Sequence, residues 1–181
     1  MLYAIKKANH RAAILNGMKI KNDERSRVAA ALFAIAQQHH NSILILLKNE
    51  AALYASAFAL LRPLLEVTIR GIWVLHCAKE EDIKLIVEGH NSKWQKKTTE
   101  MLDDIDKQNG YESKEVFYPK LFKVLSAYTH GYEQQIQRWL KTNDIEAGYS
   151  NEEISELIEK SDFIANIVFV STQSLVVDEA D

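Results

Sequence analysis

Apolar side chains recur at helical spacing along most of the chain. Residues 3–18 place them on one face, and Gly17 stands where this first helix could end. Residues 24–48 carry a longer apolar face, preceded by Asp23, whose carboxylate can cap a helix. These two segments predict the first two helices.

The middle of the chain predicts a buried helix followed by a surface helix. Residues 50–79 are apolar nearly all round, which is typical of a helix at the centre of a bundle. Pro63 predicts an interruption there, with a bent axis. Residues 80–108 alternate between polar and apolar positions and predict an amphipathic helix that Asn109 and Gly110 close.

The last third of the chain is also predicted to be helical. Residues 111–143 indicate one or two helices, and a cap at Ser150 or Asn151 begins a final helix that runs to about residue 176. The β-branched residues of that final segment are also compatible with a strand, but its length and its helical context favour a helix.

These elements predict an all-α fold, an up-and-down helical bundle of five to seven helices in a single domain over residues 1–181. A chain of 181 residues with 47% apolar side chains can bury a sizeable core. Only six glycines and two prolines are present, so long uninterrupted elements are favoured.

The net charge, the cysteine count and the lack of targeting segments argue against several classes of protein. The formal net charge of -3 gives no overall basic surface for nucleic acid. Cys77 is the only cysteine, which excludes an internal disulfide framework. The first residues lack the apolar region of a secretory signal, and no run approaches the roughly 18 apolar residues that would span a bilayer. We therefore expect a cytoplasmic protein without a membrane contact.

One apolar stretch, "LLRPLLEVTIRGIWVLH" at residues 60–76, contains three charged residues at steps of four. In a helix Arg62, Glu66 and Arg70 form one ridge, named the charged ridge here, with the carboxylate between two guanidiniums. Trp73 and His76 lie close to the same face. The ridge is either a clamp that fixes helix register or a dimer seam, or a positively charged cleft for a phosphate or carboxylate ligand.

Other polar residues could join the charged ridge. Antiparallel packing would bring His40 toward the end of the ridge that lies far from His76. His130, in "VLSAYTHGYEQQ", lies at a helix end close to Tyr128, which is a candidate ligand-binding residue together with Arg62 and His40. Either imidazole can serve as a general acid or base if a carboxylate such as Glu66 orients it. The alternative is that each is a helix cap or a packed core residue.

No metal and no cofactor is expected. No carboxylate follows His39 or His40 at the spacing of a Glu-x-x-His type site. The sequence also has no glycine-rich phosphate loop, no Gly-x-Ser-x-Gly elbow and no paired-cysteine motif. Nucleotide hydrolysis by a phosphate-binding loop and hydrolysis by a serine or thiol nucleophile therefore have no support.

Two stretches carry a family resemblance. "HHNSILILLKNEAALYASAFALLRPLLEVTIRGIWVLH", followed by "LSAYTHG", resembles a group of uncharacterised bacterial helical families allied to the HEPN superfamily and to abortive-infection proteins. Those families share an apolar helix with Arg-x-x-x-Glu and a later His-Gly. The resemblance is best over residues 38–78 and modest over 125–132.

The resemblance implies a fold and an activity. Catalytic HEPN proteins carry an arginine followed, after four to six residues, by a histidine, and they are metal-independent ribonucleases that pair this motif across a dimer. Arg70 and His76, with five residues between them, are similar to that motif. His76 would then act as acid or base on the ribose 2'-hydroxyl, and Arg70 would stabilise charge on the phosphate.

Two functional hypotheses follow. The first is a HEPN-like protein of bacterial stress or phage-defence type, such as an RNA-cleaving toxin. The second is a non-catalytic bundle that binds an anionic small molecule or a protein partner through the charged ridge. A homodimer is expected in both cases, because residues 43–61 and 160–177 offer more apolar surface than one small bundle can bury.

Overall fold

The structure is a computed structural model in which helices account for the regular secondary structure of the described residues. Those residues are 1–90, 96–110, 112, 125–126, 128, 133–140 and 148–177. In chain order the helices are α1 (Leu2–Asn16), α2 (Glu24–Lys48), α3 (Tyr54–Ala59), α4 (Leu61–His76), α5 (Glu80–Val87), α6 (Thr98–Asn109), α7 (Glu133–Trp139) and α8 (Asn151–Gln173). The predicted all-α class is confirmed. The described residues already contain eight helices, more than the five to seven predicted, because the predicted central helix and the predicted surface helix are each divided in two.

Side-chain caps define the starts of the two longest helices. The Asp23 carboxylate accepts a hydrogen bond from the Ser26 amide at 2.9 Å, at the start of α2. At the start of α8 the Ser150 hydroxyl accepts from the Glu153 amide at 3.2 Å, and the Glu153 carboxylate accepts from the Ser150 amide at 2.9 Å. This reciprocal pair is a capping box, which satisfies two amides that the helix itself leaves without acceptors. Both predicted starts are confirmed.

The long central helix predicted over residues 50–79 is in fact two helices that meet at Leu60. Pro63 lies in the first turn of α4, where its missing N–H needs no acceptor within the helix. A helix continuing through Pro63 would lose one backbone hydrogen bond and crowd the preceding turn. The interruption therefore falls at Leu60, three residues before the proline, and Leu60 itself keeps helical backbone angles.

The surface helix predicted over residues 80–108 is also divided, into α5 and α6. Gly89 adopts a positive φ of 73°, directly after the end of α5. Its amide donates to the Ile86 carbonyl at 3.1 Å, and the His90 amide donates to the Leu85 carbonyl at 2.9 Å. This pair of bonds is the Schellman ending, which glycine favours because a left-handed residue is needed.

The core is centred on α2 and α4. Phe33 and Ile43 of α2 pack there with Leu64 and Trp73 of α4, and each of the four is at most 2% exposed. The two helices run antiparallel, since the start of α2 contacts the end of α4. Apolar residues of α3, α5, α6 and α8 complete the main core around this pair. Among the described helices, none has the length and apolar character needed to cross a bilayer.

An antiparallel bridge joins the segment between α1 and α2 to the segment that follows α8. Ile20, between α1 and α2, pairs with Val176, after α8. The Lys21 amide donates to the Leu175 carbonyl at 2.9 Å, and the Val177 amide donates to the Lys19 carbonyl at 3.0 Å. The final helix ends at Gln173, slightly before the predicted boundary; Ser174 keeps helical backbone angles, and Val176 forms the bridge.

Gly71 lets α4 approach α2 closely, and its substitution tests this contact. A Cβ at Gly71 would lie 2.7 Å from Cδ1 of Phe33 and closer still to Cε1. Since Phe33 is 1% exposed, its ring has little space to move. We expect Gly71→Ala to lower the free energy of unfolding by about 2 kcal/mol despite the better helix propensity of alanine.

Gly17→Ala is the matched control. Gly17 has a negative φ, and the only atom near an added Cβ is a backbone oxygen at 3.8 Å. We expect this variant to unfold at the same urea concentration as the wild type, or slightly higher. Urea unfolding followed by circular dichroism measures both. Equal midpoints for the wild type and Gly71→Ala would show that the contact does not constrain the two helices.

Candidate functional site

The charged ridge lies at the edge of the core, on α4. Arg62 Nε donates a hydrogen bond to Glu66 Oε1 at 3.0 Å, and these side chains are 20% and 28% exposed. Arg70, two turns beyond Arg62, is half-buried. The ridge is therefore partly accessible to solvent, and its first arginine and its glutamate form the ion pair that their spacing predicts.

His76 ends α4 and is exposed to solvent. The turn before it is held from two sides. The Trp73 indole N–H donates to Asp104 Oδ2 of α6 at 2.7 Å, and Arg25 of α2 donates to the Val74 carbonyl at 2.7 Å. His76 thus projects from a fixed helix end, although its own side chain is free to meet a ligand.

His40 lies elsewhere, in a buried polar cluster named here the buried triad, formed by Arg11 of α1, His40 of α2 and Asp162 of α8. Arg11 is 4% exposed and His40 is fully buried. One guanidinium nitrogen, Nη2 of Arg11, lies 3.0 Å from His40 Nε2 and 2.8 Å from Asp162 Oδ1. Lys7 adds a second ion pair to the same carboxylate. Sequence reasoning named Glu66 as an orienting carboxylate, whereas Asp162 is the carboxylate found beside His40.

The contacts of the buried triad determine the state of His40. Arg11 can only donate, so His40 Nε2 must accept and the ring proton must reside on Nδ1. Burial lowers the pKa of His40 to about 4, the positive charges of Arg11 and Lys7 act in the same direction, and Asp162 opposes them. The imidazole is therefore neutral at pH 7. Burial alone would raise the pKa of Asp162, but hydrogen bonds from Lys7 and Arg11 hold it below its usual value.

Tyr128 belongs to a second polar cluster, built around Arg138 of α7. The guanidinium donates to the Tyr128 hydroxyl at 2.6 Å and forms an ion pair with Glu153 of α8. Its central carbon lies 4.9 Å from the ring centroid of Tyr128, 5.3 Å from that of Tyr149 and 6.0 Å from that of Phe58. These distances are typical of cation–π contacts, so three aromatic rings and one carboxylate surround the cation.

Gln135 fixes the aromatic rings of this cluster. Its side-chain amide donates to the Ala55 carbonyl at 3.1 Å and to the Tyr128 carbonyl at 3.0 Å, and its oxygen accepts from the Tyr149 hydroxyl. Burial raises the pKa of Tyr149 to about 12, so this phenol remains a donor at neutral pH. Tyr128 therefore has structural partners, and its predicted ligand-binding role stays a prediction.

The predicted site residues thus divide among three places. Arg62, Glu66, Arg70 and His76 share α4, whereas His40 and Tyr128 lie in separate clusters; His130 lies outside the described residues. Across the described ranges, no three histidine, cysteine or acidic side chains are grouped as a metal site would require.

Arg11 and Asp162 were missed by sequence reasoning, although a signal exists. Arg11 continues the spacing of Ala4 and Ala8, so it occupies the one buried face of α1. Asp162 lies at the edge of the buried face of α8, one residue after the buried Ser161, and is itself partly buried. A charged residue at a buried position of α1 indicates that another helix supplies the opposite charge, but the spacing does not say which helix.

A comparison with protein families finds one match. The model of a family described as "Family of unknown function (DUF6988)" matches residues 33–180, which is well over half of the chain. The chain therefore belongs to that family. No curated protein and no solved structure shows a significant match.

The lowered pKa of His40 predicts a stability change in mild acid. An unfolded histidine takes up a proton near pH 6.5, whereas folded His40 does so only near pH 4. The unfolded state therefore binds more protons in this window, and the folded state loses stability as the pH falls. We expect a loss of about 3 kcal/mol in the free energy of unfolding from His40 alone between pH 7 and pH 4.

Urea unfolding at half-unit steps of pH measures this dependence. His40→Gln removes the titrating ring, so its profile should be flatter than that of the wild type over this range. His10→Gln is the matched control, because His10 is exposed on α1, and it should keep the wild-type profile. Parallel profiles for His40→Gln and the wild type would mean that His40 is protonated as easily in the folded chain as in the unfolded one.

Proposed function

We propose that this member of a family of unknown function is a HEPN-like ribonuclease that works without a metal ion, with α4 as its catalytic helix. The observation that carries the proposal is the placement of two residues on that helix. His76 is exposed at the end of α4, and Arg70 is half-buried one and a half turns before it. A base must be accessible to its substrate, and an arginine with restricted motion is suited to bind a phosphate.

The chemistry assigned to these residues is transesterification of RNA. His76 takes the proton of a ribose 2'-hydroxyl while the 2'-oxygen attacks the adjacent phosphorus. The bond from phosphorus to the 5'-oxygen breaks, and a protonated acid supplies the proton that this leaving oxygen needs. The products are a 2',3'-cyclic phosphate and a 5'-hydroxyl. Arg70 stabilises the negative charge that develops on the non-bridging oxygens.

Glu66 and His130 have supporting roles in this proposal. Glu66 forms its observed ion pair with Arg62, and together they define the edge of the phosphate-binding face. His130 is the candidate acid for the leaving oxygen, on the basis of its sequence alone. Each proton transfer of this kind contributes typically 10²- to 10⁴-fold to a rate.

In this proposal the protein is a homodimer and is located in the reducing environment of the cytoplasm. Apolar side chains remain exposed in the two segments that the sequence assigns to a dimer contact, among them Ile45 at 68%, Phe163 at 67% and Val170 at 58%. Such side chains are consistent with an apolar interface. Pairing two α4 helices across a seam would place two His76 residues near one RNA strand.

A non-catalytic alternative is supported by the Arg62–Glu66 ion pair. Two arginines and one glutamate make up the charged ridge, so the formal charges of these three side chains sum to +1. A face with that charge beside an apolar helix suits a phosphate or carboxylate group of a small molecule or of a partner protein. In this alternative the ridge binds an anion and His76 takes part in no reaction.

RNA cleavage by purified protein in the presence of a metal chelator tests the enzymatic proposal. We expect the wild type to produce fragments that end in a 2',3'-cyclic phosphate. His76→Ala should lower the rate at least about 100-fold, because the base is lost. Arg70→Ala should lower it by a similar factor, because charge on the phosphate is no longer balanced. Induced expression should arrest bacterial growth only with the active protein.

Matched controls exclude general loss of structure. His90→Ala removes another exposed histidine, and Arg27→Ala removes another exposed arginine; both should retain wild-type cleavage. Cleavage that survives in His76→Ala would reject the catalytic role of α4. If the wild type cleaves no RNA but binds an anionic oligonucleotide, and Arg62→Ala weakens that binding, the non-catalytic alternative is supported. A wild type that neither cleaves nor binds RNA contradicts the enzymatic proposal.

A further inference from the structure

Helix α1 is attached to the rest of the molecule by few apolar contacts. Its only buried apolar residues are Ala4 and Ala8, which meet Leu44 in a small cluster separate from the main core. Leu2 and Tyr3 are 72% and 74% exposed. Ile5 packs half-buried against the same cluster, and Ile14 and Leu15 are also half-buried, so the hydrophobic contribution to the docking of α1 is modest and comes mostly from partly exposed side chains.

Polar contacts therefore have a large share in holding α1. Lys7 and Arg11, one turn apart, both form ion pairs with Asp162 of α8. Arg11 also donates to His40 of α2. A helix held mainly by ion pairs to one carboxylate can leave and return more easily than one held by a large apolar face.

The two acceptors for Arg11 belong to the part of the chain shared with the family. His40 and Asp162 lie within residues 33–180, whereas α1 lies before them. His40 offers the lone pair of Nε2, and Asp162 offers a carboxylate oxygen about 4.0 Å from it. A neutral acceptor and an anionic acceptor, side by side in a buried place, are complementary to a planar cation with several N–H donors.

Arg11 leaves some polar atoms at this site without a hydrogen-bond partner among the described residues. Its Nη2 serves both acceptors, while its Nε is buried without a hydrogen-bond partner in the described part of the chain. The Nδ1 atom of His40 is likewise buried without a partner there. Buried donors without acceptors are unfavourable, so a guanidinium that is not tethered to α1 can adopt a better orientation.

A groove lies next to this cluster, lined by neighbours of Arg11 and His40 and not by these two residues themselves. It has a volume of about 210 Å³ and lies between α1 and α2. Its walls include Ala8, one turn before Arg11, and Asn41, the neighbour of His40. The Oδ1 atom of Asn41 is buried and has no hydrogen-bond partner among the described residues, so the polar groups beside this groove are incompletely satisfied.

We propose that His40 and Asp162 form a binding site for a guanidinium group, and that α1 is a displaceable helix whose Arg11 occupies this site in the present conformation. The ligand class is a small guanidinium compound, such as arginine or one of its derivatives. It would enter between α1 and α2, donate to His40 Nε2 and Asp162, and release Arg11. This site is independent of the charged ridge and of the ribonuclease proposal.

Rescue of an Arg11→Ala variant by methylguanidinium tests the site. This substitution removes the occupying group and leaves both acceptors in place. We expect methylguanidinium at ten times its Kd to raise Tm of Arg11→Ala by about 3–6 °C, because a ligand that binds only the folded state stabilises it. The wild type should show a much smaller rise, since Arg11 competes from within the chain. Methylammonium chloride at the same concentration controls for ionic strength and should produce no rise.

Two further variants test whether the rescue depends on Asp162 and whether it survives if Arg11→Ala fails to fold. Arg11→Ala combined with Asp162→Asn removes the anionic acceptor and should abolish the rescue. If Arg11→Ala does not fold alone, methylguanidinium should restore its helical circular dichroism signal, and Arg11→Gln, which keeps much of the side-chain length, should show the same rise in Tm. A Tm or helical signal that responds no better to methylguanidinium than to methylammonium, in both Arg11→Ala and Arg11→Gln, would overturn the proposal.

Hydrogen exchange tests whether α1 is displaceable. In the wild type, the amides of α1 should exchange at least about tenfold faster than those of α2 and α8, because α1 can open without unfolding the core. Asp162→Asn should increase exchange in α1 further. Equal protection of α1 and α2 would show that α1 opens only when the whole molecule unfolds, which contradicts a displaceable helix.

Discussion

The contact between α2 and α4 is the constraint on which the remaining packing depends. The ring of Phe33 lies against the bare backbone of Gly71, so the two helices approach more closely than any larger residue at that position would permit. The helices α6 and α8 then pack around this pair, and α5 contacts α2. The spacing of the central pair therefore also sets the position of the charged ridge, which lies on the side of α4 that the core leaves partly exposed.

Each buried guanidinium in the described residues is matched by a carboxylate from α8. Arg11 pairs with Asp162 and Arg138 pairs with Glu153, so α8 supplies the counter-charge at two levels of the bundle. A buried cation without such a partner would be strongly unfavourable. The two environments differ, because aromatic rings surround Arg138, whereas Arg11 meets a neutral imidazole. The first half of α8 thus contributes Glu153 to the aromatic cluster around Arg138 and Asp162 to the buried triad, where we propose that α1 can be displaced.

Much of the fold could be predicted from spacing and caps, because these are local properties. The bounds of α2 and the start of α8 follow from one apolar face and one capping side chain. The division at Leu60 was harder to predict, because the residue at which a helix is interrupted near a proline depends on the packing around it. The ion pair of Arg62 with Glu66 is local and was predictable, whereas the partners of His40 come from helices at opposite ends of the chain. No spacing rule within one helix reports such a contact, and the ring of aromatic residues around Arg138 was missed for the same reason.

The bridge between residues 19–21 and 175–177 has a consequence for how the protein folds during synthesis. It joins segments about 155 positions apart, so it closes a loop that includes almost every helix. On a ribosome the face of α2 that α8 will cover stays uncovered until residues 151–173 have also emerged. Such late closure slows the final assembly step and leaves apolar surface open in the nascent chain, where chaperones bind.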